Sequence, residues 1–142
     1  MSPFFHSVEK WRLEMGETME RLAFVFIGGG LGALSRYLAT LAAVRLFGPG
    51  FPWGTLAVNW AGCFFIGVLF ALGEKSEWLG SSTRLFWMTG FLGGLTTFST
   101  FGLETVNAVG GGWGGALSNV VAHNIGGLLL VAGGMWIVKV WS

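Results

Sequence analysis

Apolar residues run along this chain in long unbroken stretches, without the period-two alternation of strands or the one-sided stripe of a soluble helix. No charged residue falls between positions 22 and 35, 46 and 73, 85 and 103, or 105 and 138. A helix needs about 20 mostly apolar residues to cross a bilayer. The pattern therefore predicts four transmembrane helices, at about residues 22–46, 53–73, 84–108 and 114–138. Arg36 interrupts the first, and Glu104 lies at the end of the third.

Residues 1–20 break the pattern. Glu9, Lys10, Arg12, Glu14, Glu17 and Glu20 make them a polar leader. Acids lie among its basic residues and no small-residue cleavage site closes an apolar core, so it does not read as a signal peptide. A surface helix, a disordered tail and an overlong start all fit it. Residues 21–142 form the four-helix domain. Its connectors are short: the breaker string Gly48-Pro49-Gly50-Phe51-Pro52, then residues 74–83, then the glycine-rich 109–115. None has room for a folded soluble domain, so function must reside in the helices.

Composition agrees. The chain has 142 residues, of which 53% are hydrophobic and 11% charged, with 25 glycines and no aspartate. A soluble domain carries about 25% charged residues. A net charge of +1 gives no basic surface for nucleic acid. A single cysteine, Cys63, excludes an intrachain disulfide and a cysteine-based metal cluster. With both termini and the middle connector on one side, that side holds Lys10, Arg12, Arg21, Lys75, Arg84 and Lys139, against Arg45 opposite. The positive-inside rule then places the termini in the cytoplasm.

Polar side chains in hydrocarbon are costly and mark candidate function. The first span carries Gly28 and Gly32, a G-x-x-x-G face for close helix packing, and then Arg36, a snorkelling interface residue, a buried structural cation or a charge drawing an anion into a vestibule. In the second, Asn59, Gly62 and Cys63 share a face. The Asn59 amide either ties helices together or turns its N–H groups toward an aqueous path. The third span holds Gly93-Gly94-Leu95-Thr96-Thr97-Phe98-Ser99-Thr100-Phe101. Paired glycines followed by paired threonines predict a broken helix at membrane depth. Freed carbonyls at such breaks commonly hold a cation, and aromatic edges can sit beside a small anion.

That string resembles the signature of the Fluc (CrcB) fluoride channels. The resemblance continues in Gly32-Ala33-x-x-Arg36-Tyr37 and Gly54-Thr55-Leu56-x-x-Asn59-x-x-Gly62, and covers about residues 22–138. It implies an all-α membrane protein of four helices, with a break in the third, assembling as an antiparallel dual-topology dimer. It further implies a structural, untransported Na+ at the dimer centre, held by main-chain oxygens of Gly93 and Thr96. Gly94 would supply backbone freedom there and Thr97 local hydrogen bonding. Asn59, Phe98, Phe101, Ser99, Thr100, Glu104 and His123 would line the fluoride pathway, with Arg36 at least partly structural. The partners implied are fluoride, the lipid bilayer and a second copy of the chain.

Two features depart from the family pattern. Asn119 and His123 stand where many members carry a tyrosine and a serine. Six basic residues against one also sit uneasily with insertion in both orientations, so an oppositely inserted homologue is the alternative partner. A proton-coupled small multidrug exporter would want an acid in the first span, which here holds Arg36. A purely structural subunit would leave the 93–101 break unexplained. No nucleophile–base set suggests an enzyme. The expectation is a fluoride channel of the bacterial inner membrane that passively exports the anion and so reduces its toxicity.

Overall fold

The computed structural model describes residues 3–75 and 80–141, with the side chains of 3–12 and 75 left aside. Part of the predicted 74–83 connector therefore lies outside the described residues, as do the first two residues of the leader. Every element among the described residues is helical. Helix α1 spans Pro3–Phe47 and α2 Trp53–Lys75. Residues 81–95 form α3, Phe98–Val109 form α4, and residues 113–141 form α5. Within them, Leu85–Leu92 and Ala122–Gly126 are π-helical, widened turns that the apolar pattern gave no sign of.

Leu13–Phe47, Trp53–Glu74 and Trp113–Trp141 are each long and apolar enough to cross a bilayer. The predicted third span is α3 and α4 end to end, neither long enough alone. They part at Thr96 and Thr97, whose backbones are extended (φ −81°, ψ 153° and φ −150°, ψ 116°). The leader from Pro3 onward continues into the first span as one helix. At 45 residues it is about 68 Å long, more than twice the hydrocarbon core.

Helix α1 ends where Gly48 takes φ 75° and returns its N–H to the Val44 carbonyl at 2.9 Å, a left-handed cap that glycine adopts without a Cβ penalty. Gly112, at φ 115°, does the comparable work before α5. Helix α1 packs along α3, and α2 along α5. The α1–α3 contact is backbone on backbone. A Cβ on Gly28 would meet the carbonyl of Phe86 and the amide of Phe91, and one on Gly32 the carbonyl of Phe91 and the amide of Leu95. From the other side, a Cβ on Gly94 would strike the Gly29 carbonyl. Gly67 and Gly134 make the α2–α5 contact in the same way, against Val131 and Phe64.

Among the described residues the buried apolar cluster is small, Val58, Leu92 and Leu95, ringed by Ala39, Ile66, Leu69 and Phe91. Large apolar side chains such as Phe26, Leu34, Leu128 and Trp136 are exposed along the helices. Such a surface suits lipid and other chains, not water.

Candidate functional site: a clamped break between α3 and α4

Helix α3 stops because its last turn gives way to threonine side chains. Both the backbone N–H and the hydroxyl of Thr96 donate to the Leu92 carbonyl, at 3.0 and 2.9 Å. Thr97 then caps α4: its hydroxyl oxygen accepts from the Thr100 N–H at 3.2 Å, and its own proton goes to the Thr100 hydroxyl at 3.0 Å. Ser99 Oγ lies 3.4 Å from the same Thr97 oxygen. Thr100 thus keeps its hydroxyl hydrogen for another acceptor, and Ser99 and Thr100 are both exposed.

The Thr97 peptide groups are met by one side chain. Asn59 Oδ1 accepts the Thr97 N–H at 2.8 Å, and Asn59 Nδ2 donates to the Thr97 carbonyl at 3.1 Å. The two readings of Asn59 are therefore compatible. The amide holds the break open, and one of its two Nδ2 hydrogens remains unspent. One turn earlier on α2, Thr55 donates to Glu104 Oε1 at 2.7 Å, so a single face of α2 fastens α4 twice. Beneath the clamp, Gly62 leaves space for the Thr96 methyl, which a Cβ there would overlap.

Asn59, Thr96, Thr97, Phe98, Phe101 and His123 come together around an open cleft of about 420 Å³, floored by Gly62, Cys63 and Ile66 of α2. Phe98 and Phe101 pack with centroids 5.4 Å apart, but differently disposed: Phe98 is 81% exposed and Phe101 8%. The ring of His123 lies on Phe101 at 4.4 Å, its Nδ1 3.0 Å from the Asn119 carbonyl. Here the π-helical turn shifts the register of α5. Trp60 Nε1 donates to the Ala122 carbonyl at 2.9 Å, and His123 and Asn124, within the same turn, both line the cleft.

Glu104 is not in this cleft. It lines a second cavity of about 360 Å³ beneath the turn at residues 48–52, with Thr40, Thr55 and Asn107. Its Oε2 is buried without a hydrogen-bond partner among the described residues. Arg36 is half-buried in α1 and lines neither cavity. Gly93 is exposed at the cleft edge with ordinary helical dihedrals (φ −62°, ψ −38°). The only positive-φ residues described are Gly48 and Gly112, so Gly94 is needed for its close approach to Gly29 and not for backbone freedom.

Sequence reasoning missed two partners. Thr55 was visible only as part of a motif, and Thr105 not at all. Thr105 accepts from Asn119 Nδ2 at 2.8 Å and donates to the Phe101 carbonyl at 2.8 Å, joining α5 to α4 behind the phenylalanine. A lone threonine in an apolar helix gives no signal of such a role.

The family profile described as CrcB-like protein, Camphor Resistance (CrcB), matches residues 23–135. The chain belongs to the CrcB family. A relative from Burkholderia lata, named fluoride-specific ion channel FluC, is 43% identical over 118 residues, covering 82% of this chain and 91% of its own. A protein of that name from Shewanella pealeana is 51% identical over 88 residues, 62% of this chain and 70% of its own. Another, from Azobacteroides pseudotrichonymphae, is 44% identical over 86 residues, 61% and 69% respectively. The CrcB match covers every residue that lines the cleft and leaves outside it the polar start of α1 and the last residues of α5. With its long apolar helices, this CrcB chain is a multi-pass membrane protein.

Proposed function

We propose that this chain is a fluoride-specific channel, not an enzyme, that passes the anion out of the cytoplasm across the bacterial inner membrane. The observation that carries the reading is the Asn59 clamp, which holds a helix open at the edge of a Phe98–Phe101 cleft. Membership of a family whose named relatives are fluoride-specific channels supports the choice of ion.

Fluoride is small and strongly hydrated, so a pathway must exchange its water for donors and still let it leave. The spare Asn59 hydrogen and the hydroxyls of Ser99 and Thr100 are donors of that kind. Phe98 and Phe101 add electropositive ring edges that attract weakly. Several weak sites favour passage over trapping. Fluoride that diffuses in as neutral HF ionises in a more alkaline cytoplasm, and the membrane potential then drives the anion outward with no further energy source.

The fuller reading is an antiparallel homodimer. Phe98 and Gly93 are exposed in the single chain, leaving one wall of the cleft for a second copy to supply. A structural Na+ fits the break. The carbonyls of Gly93 and Thr96 take no backbone hydrogen bond among the described residues, and neutral oxygens suit a hard cation. Two such carbonyls from each copy could meet on a twofold axis, where the ion would tie the two breaks together.

The test is efflux from liposomes loaded with fluoride or chloride, using this chain purified alone and a potassium shunt. Fast fluoride release without chloride release supports the channel and its self-sufficiency together. No fluoride release from folded protein would sink the homodimer and direct attention to an oppositely inserted homologue.

A further inference from the structure

Arg21 and Arg84 are each the last charged residue before a long stretch without any, 22–35 in α1 and 85–103 in α3 and α4. Charge-free stretches begin where hydrocarbon begins, so both guanidiniums belong at the border between acyl chains and head groups. The fold brings the two borders together. Gly28 lies against Phe86 and Phe91, and Gly32 against Phe91 and Leu95, so α1 and α3 run in the same direction and both arginines lie at the same end. Between them is a hollow of about 410 Å³, lined by Arg21, Ser81, Arg84, Leu85, Met88 and Thr89.

The lining is of two kinds. Two guanidiniums and two hydroxyls, all on exposed residues, share the hollow with the half-buried apolar side chains of Leu85 and Met88. No acid among the described residues lines it. Arg84 is seated by α2, for its guanidinium donates to the Gly73 carbonyl and occupies the space that a Cβ on Gly73 would need. Arg21 is held only by an exposed pair with Glu17 at 3.8 Å, and such pairs are worth little. One cation is therefore fixed and the other can turn toward a ligand.

Guanidiniums stay charged at any ordinary pH and match the geometry of a phosphate. Two of them facing one hollow without an acid call for an anion. The depth and the apolar side chains call for one that carries acyl chains, since the bilayer itself holds phosphodiesters at this level. Free phosphate would leave Leu85 and Met88 uncovered. We propose that this hollow binds an anionic phospholipid, Arg21 and Arg84 holding its phosphate while Leu85 and Met88 meet the start of its chains. The lipid bridges α1 and α3 beside their glycine contact, where α1 leaves the bilayer as the polar leader. This reading is independent of the ion the chain passes.

The test is native mass spectrometry of the full-length protein in detergent, titrated with phosphatidylglycerol or with phosphatidylcholine of the same chains. Phosphatidylcholine brings its own ammonium to the arginines and should bind more weakly. Arg21→Gln and Arg84→Gln should each lower the preference for phosphatidylglycerol roughly fivefold, and the double variant should bring the two lipids near parity. Arg21 is exposed, so its variant carries the test even where Arg84→Gln fails to fold. Arg45→Gln, at the far end of α1, should keep the wild-type preference. Equal retention of both lipids by the wild type, a preference unchanged in Arg21→Gln, or one that falls as far in Arg45→Gln overturns the site. Excess inorganic phosphate should leave the lipid bound; displacement by it overturns the lipid as occupant.

Discussion

The two faces that grip α3, the break and α4 are built from opposite materials. Against α1, α3 is held by Gly28, Gly32 and Gly94, where backbones touch and no side chain intervenes. Against α2, the break and α4 are held by side chains alone, Asn59 on Thr97 and Thr55 on Glu104. Glycine contact fixes the height and distance of α3 but supplies nothing for an ion. The polar face keeps peptide groups satisfied in a non-helical stretch, which bilayer depth otherwise forbids, and in doing so leaves hydrogens and carbonyls beside a cleft. One face therefore sets the position of the break and the other sets its chemistry. Substitutions should sort by face, folding failing on the first and passage on the second.

The largest effect is expected at Gly32→Leu. The new side chain would enter the Phe91 carbonyl and Leu95 amide, which cannot move aside, costing about 4 kcal/mol or more. Detergent-solubilised protein should elute as aggregate in size exclusion. A well-folded, active variant would remove the glycine face from the account.

Asn59→Leu comes next. It leaves the N–H and C=O of Thr97 unpaired at about 1–3 kcal/mol each, a loss that thermal unfolding in detergent should register. Cross-helix polar bonds in membranes average only about 0.6 kcal/mol because freed groups find other partners. Two peptide groups in an extended break have fewer alternatives. Thr97→Val removes the cap on α4 and should cost about 1 kcal/mol, with Thr97→Ser restoring it. The smallest effect is expected at Thr55→Val. Loss of its bond to Glu104 should lower the melting midpoint by the equivalent of about 0.6 kcal/mol and leave fluoride selectivity intact.

Much of this was legible in the chain. Charge spacing marked out the three long apolar helices, because hydrocarbon excludes charge over a fixed thickness. The paired threonines gave the break, because their hydroxyls compete with the helix for its own carbonyls, as Thr96 does at Leu92. Gly28 and Gly32 gave a packing face by spacing alone. The site was less readable. Whether Asn59 faces a cleft or a peptide group depends on the height of α2 against α4, which no local pattern encodes; it binds the Thr97 peptide groups and lines the cleft beside them. Glu104 sits one turn from Phe101 yet borders a different cavity, because Thr55 draws its carboxylate toward the turn at residues 48–52. The π-helical turn at Ala122–Gly126 bears on which α5 residues face the cleft, and the side chain bonded to its first carbonyl, the Trp60 indole, comes from another helix.

On the channel reading proposed above, the clamp at Thr97 is what lets fluoride pass. That reading is tested most directly by comparing wild type and Asn59→Leu in one efflux assay, each first shown folded by size exclusion. The account predicts fast, chloride-free fluoride release from the wild type and release no faster than protein-free vesicles from the variant. Equal fluoride release from both would contradict it.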